Sequence, residues 1–116
     1  MFKKEREKLD QQRKREEEQR EREARIYNSL SELDQTCVDA LHGVSFTIYG
    51  PKGERNFEMK FNFYTREFDC ICLSNLGLFE STSEYKRKIN GWVYDRLKDY
   101  GVPFKTRFWY YINYCF

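Results

Sequence analysis

The chain is poor in the residues from which catalytic and metal sites are usually built. It has one histidine, His42, together with six glycines, two prolines and four cysteines in 116 residues. No cysteine pair has the CxxC spacing of a zinc or redox site, and no glycine-rich phosphate loop follows a predicted strand. No serine or cysteine has a patterned base partner. We therefore predict a protein that is not an enzyme and has no cofactor-binding or metal-binding residues.

Long apolar runs are also missing. The sequence contains no run of about 18 apolar residues, which is the length that a transmembrane helix requires. The N-terminal sequence also lacks the apolar segment of a signal peptide. The four cysteines are Cys37, Cys70, Cys72 and Cys115. We interpret them as free thiols rather than as zinc ligands with His42, and free thiols agree with a reducing compartment. These absences predict a cytoplasmic protein without membrane contact.

Charge is abundant and nearly balanced. Residues 3–25 contain 18 charged side chains in 23 positions, ten of them basic and eight acidic. Such a segment has no apolar face with which to form a core. Acid-first pairs at i,i+4 spacing favour a helix; they are Asp10 with Lys14, Glu16 with Arg20, Glu18 with Arg22, and Glu21 with Arg25. The pattern predicts a charged helical arm over residues 1–25.

The function of this arm has two interpretations. It is either a solvated helix with no specific role or a contact element for a partner. If it is a contact element, its cations are candidate partner-binding residues: Arg13, Lys14, Arg15, Arg20, Arg22 and Arg25. The eight acids dilute the positive field, and arms that only follow phosphates are usually more basic.

Residues 26–116 have the patterns of a compact α+β domain. Apolar residues from Ile26 to Val44 recur at helical spacing, and they indicate either a helix packed on the domain or, less favoured, a short coiled-coil seam. Ser29 and Glu32 have capping-box spacing, which indicates a restart or bend in that helix. The later elements follow from alternation and caps: strands at 44–49, 57–64 and 68–74, a helix from Ser81 or Ser83 to Tyr100, and a strand at 104–116.

The predicted order after the arm is therefore α-β-β-β-α-β, with an antiparallel sheet packed on helices. The outer face of that sheet would mix aromatic and cationic groups, which can stack bases or anchor a protein contact. Its alternative is cover by the arm or the first helix. The candidate contact residues of the domain are Tyr64, Lys86, Arg87, Lys88, Arg107, Trp109 and Tyr111, with Tyr49 and Lys60 on the same predicted sheet face.

Residues 26–100 resemble a double-stranded RNA-binding domain. The resemblance lies in the order α-β-β-β-α, the Gly50-Pro51 turn before a strand opened by Phe57, and basic residues early in the second helix. It implies a nucleic-acid-binding module whose turn and helix N-terminus contact grooves and phosphates. The chain departs from the family pattern where Gly53 replaces its histidine and where Glu84 replaces one of its lysines.

In overall style the chain resembles small phage-encoded anti-defence proteins, notably the anti-CRISPR proteins of type II systems. The shared features are a charged N-terminal helix, an aromatic α/β body and the lack of a catalytic motif. The resemblance implies a non-enzymatic inhibitor of nucleic-acid-processing machinery, encoded by a phage or mobile element. Such an inhibitor would bind a protein or ribonucleoprotein, for example a Cas nuclease, in the host cytoplasm. The alternative function is the nucleic-acid-binding module.

Overall fold

The computed structural model describes residues 2–77, 79–103, 105 and 112–116. The chain divides into two compact units, Met1–Leu30 and Ser31–Phe116. The division lies after Leu30, whereas the charge pattern placed it after Arg25. The helix continues past Arg25 because the residues that follow it, from Ile26 to Ser29, include no glycine or proline that would break a helix.

The first unit is a single helix, α1, at Phe2–Ser29. The predicted long N-terminal helix is thus confirmed, and it extends beyond the charged run. Its end is marked by a hydrogen bond from Ser29 Oγ to the Ile26 carbonyl at 2.6 Å and one from the Leu30 amide to the Tyr27 carbonyl at 3.1 Å. At 28 residues, α1 is about 42 Å long at the α-helical rise.

The second unit begins with helix α2 at Glu32–Leu41. Its N-cap is Ser31, whose side chain accepts a hydrogen bond from the Asp34 amide at 3.1 Å. The predicted capping pair Ser29 and Glu32 is therefore wrong in register, although the predicted break is present. Because the break separates α1 from α2, the apolar stripe from Ile26 to Val44 does not lie on one helix.

Within the described residues, four strands form one sheet in the order β1-β2-β3-β4. They are β1 at Val44–Gly50, β2 at Gly53–Asn62, β3 at Glu67–Cys72 and β4 at Ile112–Cys115. The first three pair antiparallel, as predicted from their short connections. Helix α3, at Thr82–Asp99, lies between β3 and β4 in the sequence.

Strand β4 pairs parallel with β3, so the sheet is mixed and not wholly antiparallel. The cause is the long connection through α3, since a crossover can return the chain in the same direction. The strand predicted at 104–116 was too long at its start, because Lys105 has helical backbone conformation. Residues 104 and 106–111 of that prediction lie outside the described residues.

The core lies between one face of the sheet and helices α2 and α3. The predicted alternation is confirmed, since Phe46 and Ile48 of β1 and Phe57, Met59, Phe61, Phe68 and Cys70 of β2 and β3 are buried. From α3, the buried residues are Tyr85, Ile89, Val93 and Leu97. The half-buried Trp92 stacks on Phe46 with ring centroids 3.9 Å apart. In the part of the chain that the structure describes, this face of the sheet is therefore used mainly for folding.

Candidate functional site

The charged side chains of α1 are directed to solvent. Almost all of them are exposed, and within the described residues no ion pair within 4.0 Å joins two charged side chains of this helix. The i,i+4 pairs expected from the sequence are therefore not closed. Exposed ion pairs gain little because water screens them and side-chain entropy opposes them. The charged side chains of α1 are thus accessible to a partner.

The six predicted contact residues of α1 do not share one surface. At about 100° of rotation per residue, Arg13 and Arg20 lie on the side of the helix opposite Arg15 and Arg22. Lys14 and Arg25 lie between the two sides. One flat partner therefore cannot contact all six cations at once.

The three basic residues of α3 do not form a common patch either. Lys88 donates a hydrogen bond to the Tyr49 carbonyl and pairs with Glu84 at 3.2 Å. Lys86 lies over the Tyr114 ring, with Nζ 5.4 Å from the ring centroid. Arg87 is exposed. Because two of the three cations hold α3 to strands at opposite edges of the sheet, the predicted basic helix start is largely used inside the fold.

Of the residues predicted for the outer face of the sheet, Tyr49 and Lys60 lie on that face, and Tyr64 lies in an adjacent turn. Tyr49 is 65% exposed at the end of β1, and Tyr64, 63% exposed, lies in the turn between β2 and β3. Lys60 is exposed on β2. The predicted contact residues Arg107, Trp109 and Tyr111 lie outside the described residues.

Acidic side chains dominate the described part of this outer face. Alternation along the strands places Glu54, Glu58, Glu67 and Asp69 on it, against Lys60 as the basic residue. Asn113 of β4 donates hydrogen bonds to Glu67 at 2.8 Å and to Asp69 at 3.1 Å. We call these four carboxylates the acidic sheet face. A face of this charge would repel phosphates and attract cationic surfaces.

A polar cluster below the β1–β2 hairpin was not predicted from the sequence. Glu80 accepts hydrogen bonds from the Tyr85 hydroxyl and from the Gly77 amide at 2.9 Å, and it pairs with Arg55 at 3.2 Å. The Tyr85 hydroxyl, with the Gly77 amide and Arg55, lowers the pKa of the Glu80 carboxyl. Gly50 lies against the Tyr85 ring. The cluster fixes the loop before α3 to the hairpin, and we assign it a structural role.

One aromatic side chain near this cluster is almost completely exposed. Phe79, in the loop before α3, is 93% exposed, and Leu73 at the end of β3 is 54% exposed. Described residues on both sides of Phe79 are held by hydrogen bonds: Ser74 Oγ accepts from the Asn56 amide at 2.9 Å, and Glu80 accepts from the Gly77 amide. Exposed aromatic side chains on a fixed loop are typical anchors of protein interfaces.

The cysteines and acidic residues do not assemble a metal site in the part of the chain that the structure describes. All four cysteines are free thiols, with Cys37 and Cys70 buried. Burial, with a smaller contribution from neighbouring Cys72 and Cys115, raises the pKa of Cys70 to about 12. A buried thiol held in its protonated form is a poor nucleophile and a poor ligand.

Comparison with known proteins gives no matching family model, no matching curated protein and no matching solved structure. Across the described residues, none of the helices combines the length and apolar character needed to cross a membrane.

Proposed function

We propose that the protein is a non-enzymatic inhibitor that binds nucleic-acid-processing machinery, with a guide-loaded CRISPR-type nuclease as the first target to test. The origin that this proposal implies is a phage or mobile element. The supporting observation is the acidic sheet face, formed by Glu54, Glu58, Glu67 and Asp69 on one side of a small folded unit. This face is negatively charged, as nucleic acid is, and it would therefore be attracted to the cationic channels in which nucleases hold their substrates.

Three further observations favour a protein or ribonucleoprotein partner. Phe79 is exposed on a fixed loop, where an apolar pocket of a protein would cover it. Lys86 and Lys88 are engaged within the fold, which removes two cations from any phosphate-binding surface of α3. Helix α1 carries both signs of charge in exposed positions, which suits a target that contains both RNA and protein.

The alternative function is a nucleic-acid-binding module similar to a double-stranded RNA-binding domain. The order α2-β1-β2-β3-α3 favours it, because it is the order on which that resemblance was based. The acidic sheet face and the engaged lysines of α3 argue against it. The inhibitor proposal therefore remains the preferred one.

The test is an inhibition assay with a purified type II CRISPR nuclease loaded with guide RNA. We expect the full chain to block cleavage of target DNA, and we expect the variant E58Q/D69N to inhibit about tenfold less well, because two charged contacts worth roughly 0.5–1 kcal/mol each are lost. Each substituted amide keeps an oxygen that can accept a hydrogen bond.

The matched control is D95N/D99N, which removes the same charge from exposed positions of α3. It should inhibit like the unmodified chain. Equal weakening by both double variants would show that only net charge matters, and it would contradict a role for the acidic sheet face. No block of cleavage by the unmodified chain would contradict this target.

A further inference from the structure

The acidic residues of α1 occupy only part of the helix circumference. Because the helix is continuous from Phe2 to Ser29, the angular position of each side chain follows from about 100° per residue. A sector of about 140°, bounded by Glu18 on one side and Glu5 on the other, contains no acidic side chain. We call this sector the acid-free face.

Four cations lie on the acid-free face: Lys4, Lys8, Arg15 and Arg22. They fall within about 40° of one another around the helix and extend over about 27 Å along it. The other side chains of the face between Lys4 and Arg22 are glutamines. All four cations are exposed, and within the described part of α1 none is paired with a carboxylate at 4.0 Å or less.

A straight row of cations matches a regular array of negative charge. Each strand of double-stranded DNA presents one phosphate per about 3.4 Å of the helix axis, a dense and uniform array of negative charge that does not require one particular register of the cations. An acidic protein surface would have to reproduce the spacing of these particular residues. Single strands are usually held by aromatic stacking, and the face between Lys4 and Arg22 contains no aromatic residue.

We propose that the acid-free face of α1 binds the phosphate backbone of duplex nucleic acid without reading its sequence. The net charge of α1 does not indicate this surface, because the acidic residues that lower the net charge lie on the other sides of the helix. The biological role of this contact rests on the proposed function, in which the duplex belongs to the target ribonucleoprotein. The contact itself is measured on naked duplex without any nuclease. A negative result would therefore contradict the contact of α1 with duplex without contradicting the proposed inhibition of the nuclease.

The experiment measures binding of the full chain to a fluorescent 20-base-pair RNA duplex by anisotropy, at about 50 and about 200 mM salt. Four phosphate contacts predict that the affinity falls on the order of 100-fold between these concentrations. The variant K8Q/R15Q should reduce that fall to about tenfold and weaken binding at low salt by about tenfold. The charge-preserving variant K8R/R15K should bind like the unmodified chain.

The matched control is K3Q/R6Q, which removes one Lys and one Arg from positions off the acid-free face. It should change the affinity less than about twofold, and circular dichroism should show unchanged helix content for all variants, since Gln has a helix propensity similar to that of Lys and Arg. Equal weakening by K3Q/R6Q and K8Q/R15Q would overturn the proposal. A competition experiment gives a second test, in which poly-glutamate or unlabelled RNA duplex is added to the complex with the fluorescent duplex. If poly-glutamate competes as strongly as the unlabelled duplex, the proposal is overturned and the partner is an acidic protein.

Discussion

At the residue scale, the contact between Gly50 and Tyr85 is the tightest constraint on the hairpin. A Cβ atom added at Gly50 would lie 2.6 Å from Tyr85 Cε1. The Tyr85 side chain is fully buried, and its hydroxyl donates a hydrogen bond to Glu80. The ring therefore cannot move aside without breaking the cluster. We expect Gly50→Ala to lower the free energy of unfolding by about 1–3 kcal/mol, as measured by urea denaturation.

Gly91 provides the matched control for this substitution. It is exposed in the middle of α3, and an added Cβ would meet nothing within 4 Å. Gly91→Ala should therefore raise the free energy of unfolding by roughly 0.5–1 kcal/mol, because alanine favours the helix. A neutral Gly50→Ala beside a stabilising Gly91→Ala would contradict the packing described for Tyr85.

Glu80 predicts how stability depends on pH. Its pKa is lowered chiefly by the hydrogen bond from Tyr85, so its contribution to stability is complete above the ordinary glutamate value of about 4.3. That contribution is lost as the pH falls through the lower pKa of the folded state. The unfolding free energies of the unmodified chain and Glu80→Gln should therefore differ most near neutral pH and converge in acid. A difference that stays constant from neutral pH to about pH 2 would contradict the assignment.

At the element scale, Arg96 of α3 joins the two helices of the second unit. Its Nε donates to the Ala40 carbonyl near the end of α2 at 2.6 Å, and its guanidinium lies over the rings of Trp92 and Tyr100. Arg96→Met should lower the free energy of unfolding by about 1–3 kcal/mol, because a charged hydrogen bond to a helix end is lost. Thermal denaturation would measure this loss of stability, with substitution of the exposed Lys98 by methionine, Lys98→Met, as the control. Equal effects of the two substitutions would contradict the role assigned to Arg96.

The elements show which structural features could be predicted from the sequence. The alternation from Phe46 to Cys70 has a period of two and a single buried face, so it determined three strands and their orientation. The parallel pairing of β4 could not be predicted, because it depends on where α3 returns the chain. The N-cap at Ser31 was missed because Ser29 offers the same spacing, and local patterns do not choose between two serines so close together.

The candidate site was less predictable than the fold for a similar reason. The partners of Glu80 include Arg55, which is distant in sequence, and no local motif marks such a pair. The predicted cations of α3 were correctly placed on its helix, but Lys86 and Lys88 are held by Tyr114 and Tyr49, which only the folded structure brings near. The prediction for the outer sheet face placed Tyr49 and Lys60 correctly, but it did not include the acidic residues at the outward positions of β2 and β3.

At the scale of the whole molecule, the two units carry charge in different ways. The charges of α1 are exposed on all sides of the helix, with the acids excluded from one face, whereas Ser31–Phe116 presents an acidic sheet face. A target that combines phosphates with a cationic protein channel would complement both surfaces. A ribonucleoprotein has this composition, and naked nucleic acid has only half of it.

The most direct measurement is the dependence of inhibition on enzyme and on substrate concentration, made with the guide-loaded nuclease. If the protein binds the ribonucleoprotein, the concentration for half-inhibition should rise in proportion to the nuclease once the nuclease exceeds the dissociation constant. Added non-target DNA should then leave the half-inhibition concentration unchanged in an assay at about 200 mM salt, where the contact of α1 with naked duplex is weak. A half-inhibition concentration that follows the amount of DNA and ignores the amount of nuclease would contradict the account, since it would show that the protein acts by covering nucleic acid.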